Sequence, residues 1–306
     1  MAWFLRLLQS AIALPILLSL PVRSAAQSAP TGRRLTLDAA GEQRAYLLHV
    51  PRTYQSGHPT PLVLVFHGAG GTPRGMARHT GFSDLATREG FIVAYPEGVR
   101  RRWNDGRVPA ATHDDVGFVR ALLDSLSARL AIDPRRIYAT GISNGAMFSY
   151  RLACDLPGVF AAIAPVAGAM PEALSAACAH GTPLALAAFQ GTTDPLVPYG
   201  GGPVARRRAP VLSAARSAEM WARMAGCTGA PTEAMEPDRD PRDGMRVRRT
   251  AYAGCGGGRD VELYTIEGGG HTWPGGPRSG PAVGRVTRDI DATTTIWSFF
   301  SSHPKP

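Results

Sequence analysis

IYATGISNGAMFSYRLA, Ile137 to Ala153, opens on four residues suited to a buried strand, passes a serine between two glycines, and continues as a helical run from Ala146. In Gly141-Ile142-Ser143-Asn144-Gly145 the serine occupies the turn from strand to helix. Such a turn is tight and strained, so the hydroxyl stands clear of the sheet, and glycine on each flank lets neighbouring backbone pass close by. The five-residue pattern by itself carries little weight in a chain with 35 glycines among 306 residues. Its place between an apolar strand and a helix makes Ser143 a candidate nucleophile, with an ordinary turn serine as the alternative.

Outward from this stretch the same strand type recurs at Leu62–Phe66 (LVLVF), Phe91–Tyr95 (FIVAY), Phe160–Val166 (FAAIAPV) and Leu184–Gln190 (LALAAFQ). Runs without alternating polar positions suit strands covered on both faces. Arg44–Val50 (RAYLLHV) reads as a strand stopped by Pro51. Between these runs lie helical patterns at Asp84–Glu89, Asp115–Leu130 and Ser213–Ala225. In the second, Val116, Val119, Leu122, Leu123, Leu126 and Leu130 recur at i, i+3, i+4 spacing, and Asp114 and Asp115 stand where a cap and a first-turn acid favour the helix. Met245–Tyr252 and Arg259–Ile266 read as two further strands, and Ile290–Phe300 as a last helix. Apolar strands alternating with amphipathic helices predict an α/β fold with a mostly parallel central sheet and helices on both faces. Ligands bind such sheets at the carboxyl ends of the strands, the edge at which Ser143 falls.

The first residues carry Arg6, an apolar stretch from Leu7 to Leu20 broken by Pro15, and then Ser24-Ala25-Ala26. This predicts a secretory signal peptide over residues 1–26. The run is short for a membrane span, and no later segment approaches spanning length. Residues 27–306 contain no Pro/Ser-rich linker, repeat or long charge block, which predicts a single domain. Four cysteines in an exported chain predict two disulfides among three possible pairings. Proximity favours Cys154 with Cys178 and Cys227 with Cys255, and no His/Cys spacing suggests a metal.

The net charge is +9, and the leader accounts for Arg6 and Arg23 of it. Lys305 is the only lysine, and the arginines are dispersed apart from Arg100–Arg102 and Arg206–Arg208. Nucleic-acid binders cluster their basic groups on one face, often with stacking aromatics, so this dispersal argues for a solvated surface and against nucleic acid.

A serine hydroxyl is a weak nucleophile until a base takes its proton, and the base needs an acid to orient it. In elbow-containing sheets the chain order is serine, acid, histidine. Downstream of Ser143 stand His180, His271 and His303. His271 lies in EGGGHTWP, on a glycine loop after the strand VELYTI, whereas His180 precedes a strand and His303 sits in the tail. The acid belongs on a loop after an intervening strand, and QGTTDP after LALAAF supplies Asp194. Asp238, Asp240 and Asp243 lack a preceding strand, and Asp155 is too far down the helix after Ser143. A tetrahedral intermediate also needs donors: the backbone N–H of Asn144, and one from the HGAGG loop after LVLVF, for which Ala69 is the choice. His67 in that loop reads as a structural hydrogen-bonder.

These residues resemble the secreted polyhydroxybutyrate depolymerase and feruloyl esterase family of α/β-hydrolases. The matching pieces are LVLVFHGAGGT, RRWNDGR with HDDVGFVRALLD, RRIYATGISNGAMFSYRLAC, FQGTTDPLVPYGGG and EGGGHTWPGG, in the family's order over about residues 44 to 276. The resemblance implies the α/β-hydrolase fold and a secreted serine esterase acting on hydroxyalkanoate, feruloyl or acetyl esters without a cofactor. By motif match it carries Ser143, Asp194 and His271 as the triad. Gln190 departs from it, since relatives commonly place histidine before the Gly-x-x-Asp segment. The change is expected to alter packing around the acid loop and nothing catalytic. Trp273 and Trp103 are candidates for an apolar wall of the substrate site, with core packing as the alternative. No polymer-binding domain follows His271, which favours polyester oligomers or esterified polysaccharides over solid polyester. A serine peptidase on the same scaffold shares the intermediate. An exported binding protein that has lost catalysis is expected to lack a triad member, and all three positions are occupied.

Overall fold

The computed structural model describes residues 32–39, 41–107, 113–178, 182–205, 208–278 and 280–306. The leader expected at residues 1–26 and His180 lie outside them. The chain runs through β1 (Arg33–Ala39), β2 (Glu42–His49) and β3 (Thr60–Phe66), then α1 (Pro73–Thr80), α2 (Phe82–Glu89) and β4 (Ile92–Pro96). Next come α3 (Asp115–Ser127), β5 (Ile132–Ile142), α4 (Asn144–Asp155), β6 (Ala162–Val166), α5 (Glu172–Cys178) and β7 (Ala185–Gly191). A hairpin of β8 (Gly202–Val204) and β9 (Arg208–Val211) precedes α6 (Ala214–Met224). β10 (Thr232–Met235), β11 (Arg246–Tyr252), β12 (Val261–Glu267) and α7 (Ala292–Ser302) follow.

Ten strands form one sheet in the order β1-β2-β4-β3-β5-β6-β7-β12-β11-β10. The block from β4 to β12 is parallel throughout, and antiparallel strands extend it at both edges. This is the α/β-hydrolase fold. Every residue of β3 is buried, as an apolar strand covered on both faces requires. Side chains alternate across a strand, so Leu62, Leu64 and Phe66 join the cluster containing Phe118 of α3, Phe148 of α4 and Trp221 of α6. Val63 and Val65 face the opposite cluster, with Met76 of α1, Leu85 of α2 and Phe300 of α7. Four of the helices begin where a short polar side chain takes up a free N–H group: Thr72 caps α1, Asp114 caps α3, Ser213 caps α6 and Asp291 caps α7.

The chain leaves β3 towards β4 on one side and returns to β5 on the other. Loops after β3 and β5 therefore diverge and leave a crevice at their carboxyl ends, the switch point at which open α/β sheets bind ligands. Phe66 pairs with Gly141 there, which sets HGAGG beside the serine turn. The two disulfides have the favoured pairing: Cys154–Cys178 joins the end of α4 to the end of α5, and Cys227–Cys255 joins the segment after α6 to the turn after β11. No helix among the described residues is long and apolar enough to cross a membrane.

Candidate active site

Ser143 sits between β5 and α4 with φ 59° and ψ −119°, a backbone conformation that a side chain disfavours. Strain of this kind persists only where the surroundings over-determine it. Here Ser143 N–H donates to Val166 O of β6 at 2.9 Å, and Ser143 O accepts Met147 N–H at 3.0 Å in the first turn of α4. The flanking glycines are required by close approach. A Cβ on Gly141 would stand 2.6 Å from Phe66 O, and one on Gly145 would run into Phe66 O and His67 O, all of it backbone that cannot swing aside. Asn144 opens α4, so its N–H has no intrahelical acceptor.

Asp194 and His271 come from the loops after β7 and β12, adjacent parallel strands. The loops interlock through their backbones. Thr193 N–H and Oγ1 both donate to Gly269 O, at 3.0 and 2.8 Å, while Gly270 N–H donates to Arg285 O and His271 N–H to Val283 O. His271 Nδ1 lies 2.8 Å from Asp194 Oδ2, and the carboxylate side chain is fully buried. A carboxylate oxygen accepts this bond, so Nδ1 carries the shared proton and, in the neutral ring, Nε2 is the nitrogen with the lone pair. Asp194 Oδ1 accepts the N–H groups of Leu196 and Val197, each at 2.8 Å, and Oδ2 also accepts Gln190 Nε2 at 3.1 Å. Four donors satisfy a buried charge that would otherwise be costly. No hydrogen bond joins Ser143 Oγ to the imidazole in this conformation, so the structure brings Asp194 and His271 together and sets Ser143 on the same edge of the sheet.

Gly68 is the part of HGAGG that faces the serine turn: a Cβ there would lie 3.4 Å from Ser143 Cβ. Ala69 follows it and is exposed. His67 donates from Nδ1 to Gly68 O at 2.8 Å and accepts Gly98 N–H on Nε2 at 3.1 Å, the pattern of a neutral ring. Burial lowers its pKa.

The structure corrects the expectation for both tryptophans. Trp103 is 4% exposed, stacks on Phe148 with centroids 4.9 Å apart, and donates Nε1 to His67 O. Trp273 is 1% exposed, edge-on to Phe82, with Nε1 donating to Thr293 Oγ1. Each indole has its polar end satisfied inside the core and offers no face to a ligand. The sequence reading missed what surrounds Trp103. Asn144 Oδ1 accepts Trp103 N–H at 2.8 Å, and Asn144 Nδ2 donates to Trp103 O and to Asp105 Oδ2. Arg107 grips Asp105 through Nε and Nη2. Asp115 accepts Asn104 N–H on one oxygen and Arg44 Nη2 on the other, with Arg44 lying over the Phe118 ring. The available signal was the density of charge in RRWNDGR and HDD beside otherwise apolar runs. Gln190, the departure from the family pattern, contacts Asp194 itself.

An elbow serine after the central strand and an imidazole–carboxylate pair on loops at the same edge define a hydrolase of the α/β-hydrolase class. The family whose model matches residues 44–184 is described as Esterase PHB depolymerase. The chain is 33% identical over 306 aligned residues to NocK of Nocardia uniformis subsp. tsuyamanensis, a protein named as an esterase, covering 95% of this chain and 88% of that one. It is 28% identical to feruloyl esterase D of Neurospora crassa, covering 97% and 96% of the two chains. With feruloyl esterase B of Piromyces equi it shares 31% identity over 74% of this chain and 42% of that protein's length. Among solved structures, the acetyl xylan esterase from Aspergillus awamori has the same fold, with a TM-score of 0.64 at 15% identity over 89% of this chain and all of that one. The chain belongs to the PHB depolymerase esterase family and is a carboxylic ester hydrolase.

Proposed function

We propose that the protein is an exported serine carboxylesterase in which Ser143, His271 and Asp194 form the catalytic triad. The observation that carries the reading is the 2.8 Å bond from His271 Nδ1 to a buried Asp194, which makes Nε2 the basic nitrogen of the neutral ring, at the edge where Ser143 is lifted out of the sheet. Catalytic hydrogen bonds are often long in a free enzyme and tighten when substrate binds. His271 Nε2 takes the Ser143 proton as Oγ attacks the ester carbonyl. The N–H groups of Asn144 and Ala69 receive the oxyanion, and His271 returns the proton to the departing alcohol. Water activated by the same imidazole then releases the acid and frees the serine.

Feruloyl or acetyl esters carried on polysaccharide rank first as substrates, since two relatives are named as feruloyl esterases and a structural neighbour as an acetyl xylan esterase. Hydroxyalkanoate oligomers are the next class. Two disulfides support residence in an oxidising compartment, in keeping with a leader over residues 1–26. The test is hydrolysis of methyl ferulate, acetyl xylan, p-nitrophenyl acetate and hydroxybutyrate oligomers by the parent and by Ser143→Ala. The variant is expected to lose activity on every ester the parent cleaves and to resist labelling by a serine-directed phosphonate. Equal rates for the two proteins would end the proposal.

A further inference from the structure

We infer that Gln190 is a positioning residue, holding Asp194 Oδ2 toward His271 and moderating how strongly the acid attracts the imidazole's proton. The inference rests on the proposed triad. Gln190 lies on β7 opposite Thr265 of β12, with its side chain buried where the acid loop leaves the sheet. Its Nε2 donates to Asp194 Oδ2 at 3.1 Å and to Val197 O at 2.9 Å. Both neighbours are acceptors, which fixes the amide's orientation, because the flipped amide would set oxygen against oxygen twice. The two bonds tie a rigid strand to both sides of the turn that holds the carboxylate.

The other end of the amide points to the same role. Gln190 Oε1 is buried and has no hydrogen-bond partner among the described residues. An orphaned acceptor is unfavourable, and a methionine would fill the space without it. What the glutamine supplies is its donor.

Asp194 Oδ1 is held by two backbone N–H groups that cannot turn away, whereas among the described residues Oδ2 is held by Gln190 and His271 alone. The carboxylate side chain is fully buried, so bulk water does not replace a lost donor. A hydrogen bond to a carboxylate draws off part of its charge. Removing the Gln190 donor strengthens the attraction between Asp194 and a protonated His271, and the imidazolium then forms at higher pH. A protonated ring does not accept the Ser143 proton, so activity on the acid side falls first. The other ionisable groups on the surrounding elements have partners of their own. Tyr199 bonds Thr265 on β12, Glu267 pairs with Arg248, and Arg285 reaches Asp243 O and Gly268 O. On the serine side, His67 bonds Gly68 and Gly98, and Asp105 is held by Arg107.

The experiment is kcat/KM for p-nitrophenyl acetate from pH 5 to 9 on the full chain, for the parent, Gln190→Met, Gln190→Asn and Ser143→Ala, with melting curves to establish folding. Asn keeps a buried amide but is one methylene too short to reach Oδ2 from β7, so it carries the test if Met does not fold. The expected result is an acid-limb midpoint moved up by about half a pH unit or more, a roughly threefold further loss on the limb relative to each variant's own plateau. A midpoint that stays with the parent, whether or not the plateau falls, overturns the role of Gln190. Ser143→Ala separates the two failures. If it hydrolyses as the parent does, the triad itself falls; if it is inactive while the Gln190 midpoints do not move, only this inference falls.

Discussion

Replacing Asp194 by asparagine changes one oxygen to NH2 and leaves the shape intact, so its effect follows from counting donors. The carboxylate accepts four hydrogens, two on each oxygen. An asparagine accepts on one end and donates on the other. The N–H groups of Leu196 and Val197 are backbone and cannot turn, so the amide oxygen must take the Oδ1 position and the NH2 must face His271 Nδ1 and Gln190 Nε2. The imidazole can relieve the clash only by moving its proton to Nε2, and Nε2 is then unable to accept the proton of Ser143. A triad with its histidine in the wrong tautomer loses about 10⁴-fold in kcat in the serine proteases. We therefore expect a loss of about 10³- to 10⁴-fold here, or about 4 to 5.5 kcal/mol of transition-state stabilisation, with little change in KM. The measurement is hydrolysis of p-nitrophenyl acetate near pH 8 beside a melting curve, because Gln190 also loses its acceptor and some stability goes with it. An Asp194→Asn protein retaining more than about a tenth of the parent kcat would refute the tautomer argument and reduce the His271–Asp194 bond to a structural contact.

Two further outcomes follow from the fold. Cys154 and Cys178 are 24 positions apart, and the double serine variant is expected to lose about 3.5 kcal/mol in urea unfolding on the chain-entropy account; an unchanged midpoint would show the bridge to be idle. His67 titrates below its usual value of 6.5, first because of burial, so the unfolded chain takes up a proton that the folded protein refuses. Stability from this residue is complete above pH 6.5 and is lost as the pH falls from there through the folded-state value, with His49 and His79 shifted the same way. Melting temperature is expected to fall between pH 7 and 5, and a flat profile would contradict a neutral, buried His67.

The parts of the molecule legible in the sequence are those whose physics is local or whose pattern is strong. LVLVF and LALAAF read as strands because both faces of the sheet are covered, which removes polar positions from the run. Ser143, Asp194 and His271 stand out as candidates by their places after such strands. β10, TEAM, is exposed along its length and exists through its pairing with β11, so nothing in its own residues announces it. β1 carries only a weak period-two signal, in Leu35 and Leu37, beside its two arginines. The tryptophans were misplaced because motif adjacency says nothing of which way a ring turns. Trp103 is decided by Phe66 and Phe148, far along the chain on either side.

Asn144 shows why a site can be visible while its support is not. The turn alone points to its backbone N–H as a candidate donor, but its side chain is bonded to Trp103 on both polar ends and to Asp105, 39 positions away. The first turn of α4 is thereby tied to the segment that Asp115 and Arg44 anchor to α3 and β2. Breaking a buried pair strands the surviving partner, so loss of Asp105 would leave Asn144 Nδ2 and Arg107 without their shared acceptor. The direction of the Asn144 N–H, one of the two donors in the proposed mechanism, is therefore set by side chains about 40 positions away, and long-range contacts of this kind leave no mark on the local sequence.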